Sequence, residues 1–416
     1  MVTNTLLWIM YCFYSLKNIS GFTKSSLVII IAFNLLTVVL SAFLSSILIQ
    51  KIKNRFKFIV YWIVVGILLS PITLLIGNVS FFSTILLASI LGFYGGFGFS
   101  VVMGYYSATT QKINRAKISG LSVFFVTIFF VIMTLGQEYV LSPMVSSGTM
   151  FAMISVTICK LVSLIAILLL KPIESSVSNE ETISYKAVLK TREVLLYFLL
   201  WLMFSVVNNF VNPILYDSFG NTQFFAQMTM VETVLSGILA ILFGFLADRV
   251  GRKRLLFIGF VLLGLGYALL GLLSAYPMSL PFYTILDALA WSIFSPIFLL
   301  TIWGDIADKR GGEKFYVIGV LPYLLSNFLQ IILGQYSLIS MIDLTTIFTF
   351  VCIFLFIAVI PLFLAPETLP VQDVRELDLR KYYEKVKEKA KKDAKNLQLH
   401  DDNDNDAAND SVNNDV

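Results

Sequence analysis

The sequence predicts an all-α membrane protein, with about 12 transmembrane helices in two pseudo-symmetric six-helix bundles. Composition is the first reason. Of 416 residues, 57% are hydrophobic and only 13% are charged, against about 25% charged in an ordinary soluble domain. Such a chain cannot cover a soluble globule with polar surface. The second reason is a recurrence of apolar runs of about 20 residues, each long enough to cross the hydrocarbon as a helix. Backbone amides find no water in lipid, so each run must be a helix or part of a closed barrel. The runs lack the period-two alternation of barrel strands. The third reason is that the two halves of the chain repeat one another.

The runs lie at 2–19, 25–49, 58–77, 80–107, 120–142 and 149–170, then at 194–216, 222–247, 255–275, 279–303, 316–339 and 345–365. The connections between them alternate in charge. One set holds Lys51, Lys53, Arg55 and Lys57, then Lys112, Arg115 and Lys117, then Lys171, Lys186, Lys190 and Arg192. It continues with Arg249, Arg252, Lys253 and Arg254, then Lys309, Arg310 and Lys314. The other set holds only Lys17 and Lys24. Cationic loops stay in the cytoplasm, which places both termini there and requires an even number of spans. A multi-pass protein of the cell membrane is expected. The net charge of +4 is an uninformative sum; its distribution carries the orientation. The first run lacks a basic leader and a small-residue cleavage site, so it reads as the first span.

The longest connection, 171–193, is polar and separates a first bundle, 1–170, from a second, 194–368. "LLWIM" (6–10) recurs as "LLWLM" (199–203). "VVLSAFLSSILIQKIKNRFKF" (38–58) lies under "GILAILFGFLADRVGRKRLLF" (237–257) at an offset near 198, which also sets Asn34 on Glu232. Gly120 matches Gly319 at nearly the same offset. The near-constant offset points to duplication. Cys12, Cys159 and Cys352 sit inside apolar runs with no metal or redox spacing, so packing is their expected role. His400 lies in a polar tail and cannot be a buried proton relay.

The second half carries "GFLADRVGRKRLL" (244–256) between its second and third runs. With two six-span halves and a polar central linker, this loop makes residues 1 to about 368 resemble the major facilitator superfamily of secondary transporters. The matching positions are Gly244, Asp248, Arg249, Gly251, Arg252 and Lys253. "APET" (365–368) resembles, more weakly, another recurrent ending of that family. The resemblance implies a gate latch at the loop. Asp248 would meet the N-terminal end of span five, near Ser119, where an anion is favoured by the helix dipole. Arg249 or Arg252 would pair with Asp305. The first half departs from this pattern, with Gln50 in place of the acid, Lys53 and Asn54 in place of Gly and Arg, and Tyr105 near the place of Asp305. A latch in the second half only is therefore expected.

A charge in the bilayer centre costs at least ~2.5 kcal/mol on insertion scales, so each one calls for a role. The intramembrane charges are Glu232, Asp287, Lys160 and Glu138. Helical spacing draws polar residues into stripes. Ser205, Asn208 and Asn212, with Asn209 beside them, stripe span seven, and Pro213 should kink it. Thr229, Glu232 and Ser236 stripe span eight. Thr284, Asp287 and Trp291 stripe span ten, and Tyr323, Asn327 and Gln330 stripe span eleven. Asn34, Thr37 and Ser41 stripe span two; Thr127, Thr134 and Glu138 stripe span five. The expected site is a hydrated midplane cavity in which these amides, hydroxyls and rings bind a solute. Glu232 and Asp287 would take a proton, a sodium ion or a cationic group. Tyr11, Tyr94, Tyr283 and Trp291 are candidate stacking rings, with packing the plainer reading. The resemblance implies that spans one, four, seven and ten line the cavity. Lys160 is expected to snorkel or to pair with Glu138. "GFYGGFG" (92–98) lacks the Lys and Ser/Thr of a phosphate loop and reads as close helix packing.

Residues 369–398 are expected to form a basic cytoplasmic helix, opened by a capping pair, Asp373 and Glu376. Residues 399–416 are acidic and aperiodic, as disordered segments are. The expected function is secondary transport of a small organic solute by alternating access, coupled to H+ or Na+. Alternatives are efflux of drugs or metabolites by antiport, and solute sensing without translocation. The expected partners are the solute, the coupling ion and the lipid bilayer, with a monomeric protein. No cofactor, metal, nucleic acid or enzymatic chemistry is expected.

Overall fold

In a computed structural model, helices span nearly all of the transmembrane region. The structure describes all residues except 18, 20, 50–53, 77–78, 136–147, 171–182, 220–222, 274–275, 277, 309, 337–343, 371–374, 376–378, 380–382, 384–385 and 388–416. The first six helices are α1 (Val2–Lys17), α2 (Lys24–Leu48), α3 (Arg55–Leu69, prolonged by a 3-10 segment, Ser70–Leu75), α4 (Phe81–Thr109), α5 (Arg115–Leu135) and α6 (Gly148–Leu170). A short α7 (Tyr185–Lys190) follows. The second half comprises α8 (Arg192–Phe219), α9 (Gln223–Val250), α10 (Arg252–Leu272), α11 (Ser279–Phe294), α12 (Ile302–Ala307), α13 (Gly312–Tyr336) and α14 (Leu344–Leu364).

Among the described residues, eleven helical stretches are long and apolar enough to cross a membrane, and Val2–Leu16 is a shorter apolar helix. The chain is an integral multi-pass membrane protein. On α2, Phe33, Leu36, Leu40, Leu44 and Ile47 are exposed at helical spacing, as a lipid-facing stripe must be. Side-chain oxygens start several helices: Thr23 accepts from the Ser26 amide, Asn54 from Lys57 and Ser80 from Ser83, each satisfying an orphan N–H.

Two sets of contacts build the halves. In the first, α4 packs against α2 and α1, and α3 against α6. In the second, α8 packs against α13, α10 against α11 and α14, and α9 against α11. The seam between the halves runs along α5 with α9, and along α13 with α2 and α4. At the α5–α9 crossing a Cβ on Gly120 would strike the Ala240 carbonyl, and one on Gly244 would lie 2.5 Å from the Ala116 carbonyl. The backbones touch, and only glycine fits there.

Several helices extend past their apolar runs at the basic end. α5 begins at Arg115 instead of 120, and α13 at Gly312 instead of 316. Their first turns are charged but buried against the opposite half, where ion pairs replace water. The tenth span is also less regular than its sequence suggested. α11 and α12 are joined by a π-helical segment, Ser295–Thr301, that begins at Ser295-Pro296. Proline has no N–H to donate, and the wider turn is closed by Ile302 N–H to the Ile297 carbonyl. α8 runs through Pro213 as one helix.

Beyond Pro370 the chain forms a separate unit. Arg375, Leu379, Tyr383, Val386 and Lys387 are helical there. Asp373, Glu376, His400 and the acidic segment lie outside the described residues.

Candidate functional site

A cavity of about 210 Å³ lies within the second half. Four helices line it. α8 supplies Asn208, Asn209 and Asn212; α9 supplies Thr229 and Glu232; α11 supplies Tyr283, Thr284, Asp287 and Trp291; α13 supplies Tyr323, Asn327 and Gln330. The four stripes of the second half therefore converge. Asn209 donates to Ser326 Oγ at 2.9 Å and to the Ser205 carbonyl at 3.0 Å. Trp291 Nε1 donates to Asn208 Oδ1 at 3.3 Å. Tyr283 donates its hydroxyl to Asp287 Oδ2 at 3.1 Å. The Glu232 and Asp287 carboxyls are near neighbours, and no Lys or Arg is among the described residues that line the cavity.

A second cavity, of about 580 Å³, shares Asn212, Tyr323, Asn327 and Gln330 with the first. Its other walls include Ile9, Met10, Phe13, Tyr14, Leu27, Ile31 and Phe130 of the first half. These residues come from the ends of α1, α2, α5, α8 and α13 that point away from the basic loops. The central space thus lies on the far side of the membrane centre from those loops. Trp201 stacks on Phe298 and on Tyr323, with centroids 4.9 and 5.8 Å apart, and Tyr323 lines both cavities.

Some expected site residues lie elsewhere. Asn34 is buried and donates to the Ala88 carbonyl at 2.7 Å; it fastens α2 to α4 and lines neither cavity. Ser205 is 1% exposed behind the cavity wall. Tyr11 bonds Thr73 at 2.5 Å, away from both cavities. The fourth span, α4, lines neither of them.

Lys160 corrects another expectation. It does not snorkel, because it is 0% exposed. Its ammonium sits 4.3 Å from the Trp8 ring centroid, 4.8 Å from that of Tyr94 and 5.0 Å from that of Trp62. Its Nζ donates to Tyr94 Oη at 3.0 Å, and Tyr94 donates onward to the Trp62 carbonyl at 2.9 Å. Three ring faces and one hydroxyl surround the ammonium; Glu138, its other expected partner, lies outside the described residues. Tyr94→Phe removes only the hydroxyl that links both partners. A loss of ~1–3 kcal/mol is expected, read as a lower melting temperature in detergent; an unchanged melt would show that the hydroxyl holds nothing.

The basic end is closed by buried charge. Asp248 accepts the Ala116 and Lys117 amides, at 3.2 and 2.7 Å, at the first turn of α5. An anion at a helix N-terminus answers both the unpaired amides and the dipole. Asp305 pairs with Arg115 at 2.6 Å and with Arg252 at 3.0 Å, and all three side chains are within 3% of full burial. Arg252 also reaches Asp248 at 3.1 Å and donates to the Lys112 carbonyl. Arg249 points outward and lies over Phe245. Glu367 of "APET" accepts the Arg252 and Lys253 amides, both at 3.1 Å, and so caps α10. Gly251, with φ of 109°, makes the turn into that cap, a conformation that side chains disfavour.

Buried ion pairs between the halves are not confined to the second-half loop. Arg55, which opens α3, pairs with Glu313, which opens α13, at 2.8 Å, with side chains only 5% and 2% exposed. This overturns the expectation that the first half lacks one. The acid missing near Tyr105 has moved to the opposing helix. Glu313 stands at offset 198 from Arg115, so α5 opens with a cation where α13 opens with an anion. That exchange of sign was legible in the sequence, but only once the two helix starts were known to face the opposite half.

The structure is similar to those of the major facilitator superfamily proton:xylose symporter XylE. The complex with 6-bromo-6-deoxy-D-glucose superposes with a TM-score of 0.61 at 14% identity, covering 88% of this chain and 95% of that one. A double-tryptophan variant of XylE gives 0.63 at 15%, covering 89% and 95%. No protein-family model and no curated protein matches the sequence. At this identity the likeness speaks to architecture alone, and nearly the whole of both chains shares it: this chain has the major facilitator superfamily fold.

Proposed function

We propose that this protein is a secondary active transporter that moves a small organic solute by alternating access. One observation carries the reading: a polar cavity and a larger one shared by both halves lie toward one end of the bundle, and the other end is held by ion pairs that join the two halves. A closed end held by contacts between two bundles is what rocking about a central site requires. The basic end is assigned to the cytoplasm, with both termini there and the protein in the cell membrane. The present conformation is then outward-facing. Residues 1–170 and 194–368 act as the two moving bundles, and 171–193 as their tether. Glu232 and Asp287 bind the coupling H+ or Na+ or a cationic group of the solute, since two adjacent carboxylates repel and each draws a cation. Gly244, Asp248, Gly251, Arg252 and Asp305 act in gating, together with Arg55, Arg115, Glu313 and Glu367. Translocation involves no covalent chemistry.

Thiol accessibility tests the cycle. With Cys12, Cys159 and Cys352 replaced, one cysteine is placed at Asn212, in the cavity, or at Ser119. Ser119 bonds Thr301 across the seam at 2.8 Å. In the resting protein, Asn212→Cys should label rapidly from outside and Ser119→Cys hardly at all, with the ratio reversing when the latch is broken. If Ser119→Cys stays closed in every latch variant, the protein binds without alternating.

A further inference from the structure

The chemistry of the central space narrows the solute class, on the premise that the transport reading holds. The smaller cavity holds two acids and, among the described residues that line it, no base. Asp287 is 4% exposed, and its Oδ2 accepts the Tyr283 hydroxyl at 3.1 Å. Buried acids crowded together are costly unless a cation or a shared proton answers them. Glu232 stands beside Asp287 on the facing helix. The neighbouring surfaces are the rings of Tyr283, Trp291 and Tyr323, whose faces attract cations.

The adjoining space is different. Ile9, Phe13, Leu27, Ile31 and Phe130 wall the larger cavity, and no charged residue is among its described lining. A neutral sugar brings no positive charge of its own to the two acids, and an anion would be repelled. A hard divalent ion could take oxygens from the smaller cavity but would leave the larger, apolar compartment unfilled. An organic cation satisfies both compartments, with its charged head between the carboxyls and rings and its apolar body toward the first half.

We propose that the solute is a monovalent organic cation with an apolar body, held at its head by Glu232 and Asp287.

The test compares two probes of one shape. Benzyltrimethylammonium carries a permanent charge, and neopentylbenzene is its neutral isostere. Binding to the purified full chain is followed by tryptophan fluorescence, with tetraethylammonium and D-xylose run beside them. The expected result is a preference of about tenfold or more for the cation over the isostere, with tetraethylammonium also binding and D-xylose not. Asp287→Asn and Glu232→Gln should each erase most of that preference. Equal binding of cation and isostere would overturn the assignment, as would cation binding that survives both substitutions together. Failure of both cations at millimolar concentration would overturn it as well. The isosteric comparison needs no variant, so a poorly folding mutant does not spoil it. Counterflow of labelled probe in proteoliposomes separates the two claims. Cation binding without counterflow leaves the site standing and removes the transporter. Counterflow of D-xylose without cation binding does the reverse.

Discussion

Asp305→Asn should release the basic end of the protein. In the closed latch one carboxyl serves Arg115 of the first half and Arg252 of the second, and accepts Thr368 Oγ1 at 3.2 Å. Removing its charge leaves two buried guanidiniums, of which Arg252 still meets Asp248. Breaking a buried pair costs about 3–5 kcal/mol, because the stranded charge keeps its desolvation penalty. Most of that cost falls on the closed form. When the seam opens, water reaches both arginines and the loss shrinks. A differential of that size moves a two-state equilibrium by about two to nearly four orders of magnitude. The expected result is rapid labelling of Ser119→Cys from the basic end and slower labelling of Asn212→Cys. Asp248→Asn should act in the same direction but less strongly, since the two amides it caps can be hydrated at modest cost. An Asp305→Asn protein that folds, yet keeps the parental labelling ratio, would show that the network is a static brace.

The Arg55–Glu313 pair should behave as a second, separable latch. It lies at the other inter-half contact, where α13 meets α2 and α4, and both side chains are nearly fully buried. Glu313→Gln or Arg55→Met alone should destabilise the closed form by about 3–5 kcal/mol. The reversed pair, Arg55→Glu with Glu313→Arg, should recover a substantial part of that loss. Replacing both by Met and Leu should be close to neutral, because no charge then remains buried. A double-mutant cycle on the labelling ratio measures the coupling. Singles and doubles that fall equally would mean that each residue acts through other neighbours and that their proximity is incidental.

Together these experiments address an asymmetry that the repeat alone misjudged. Comparing loop with loop, the first half lacks the acid, the glycine and the arginine of the second. Comparing helix start with helix start, Arg115 and Glu313 occupy equivalent places with opposite sign. Each seam carries a buried ion pair, but only the helix-start partner, Arg115 or Glu313, sits at an equivalent place in the two halves. Electrostatics constrains the pair and not the individual position, so a motif read along one segment sees half of it.

The sequence by itself determined the membrane class, the order of the apolar helices and the basic end, because these follow from hydropathy and from charge summed along the chain. It also determined which faces of α8, α9, α11 and α13 are polar, since helical periodicity is a local property. Tertiary structure alone decided which stripes meet. The polar stripe of α2 turned inward to fasten α4, and those of the second half converged on one cavity. It alone decided that Lys160 is held by rings and that the tenth span opens into a π turn between cavity and latch. The physical reason is the same in each case. A buried polar group must be satisfied, but its partner can come from any helix that packs against it, and the choice of neighbour is made by packing across the whole bundle.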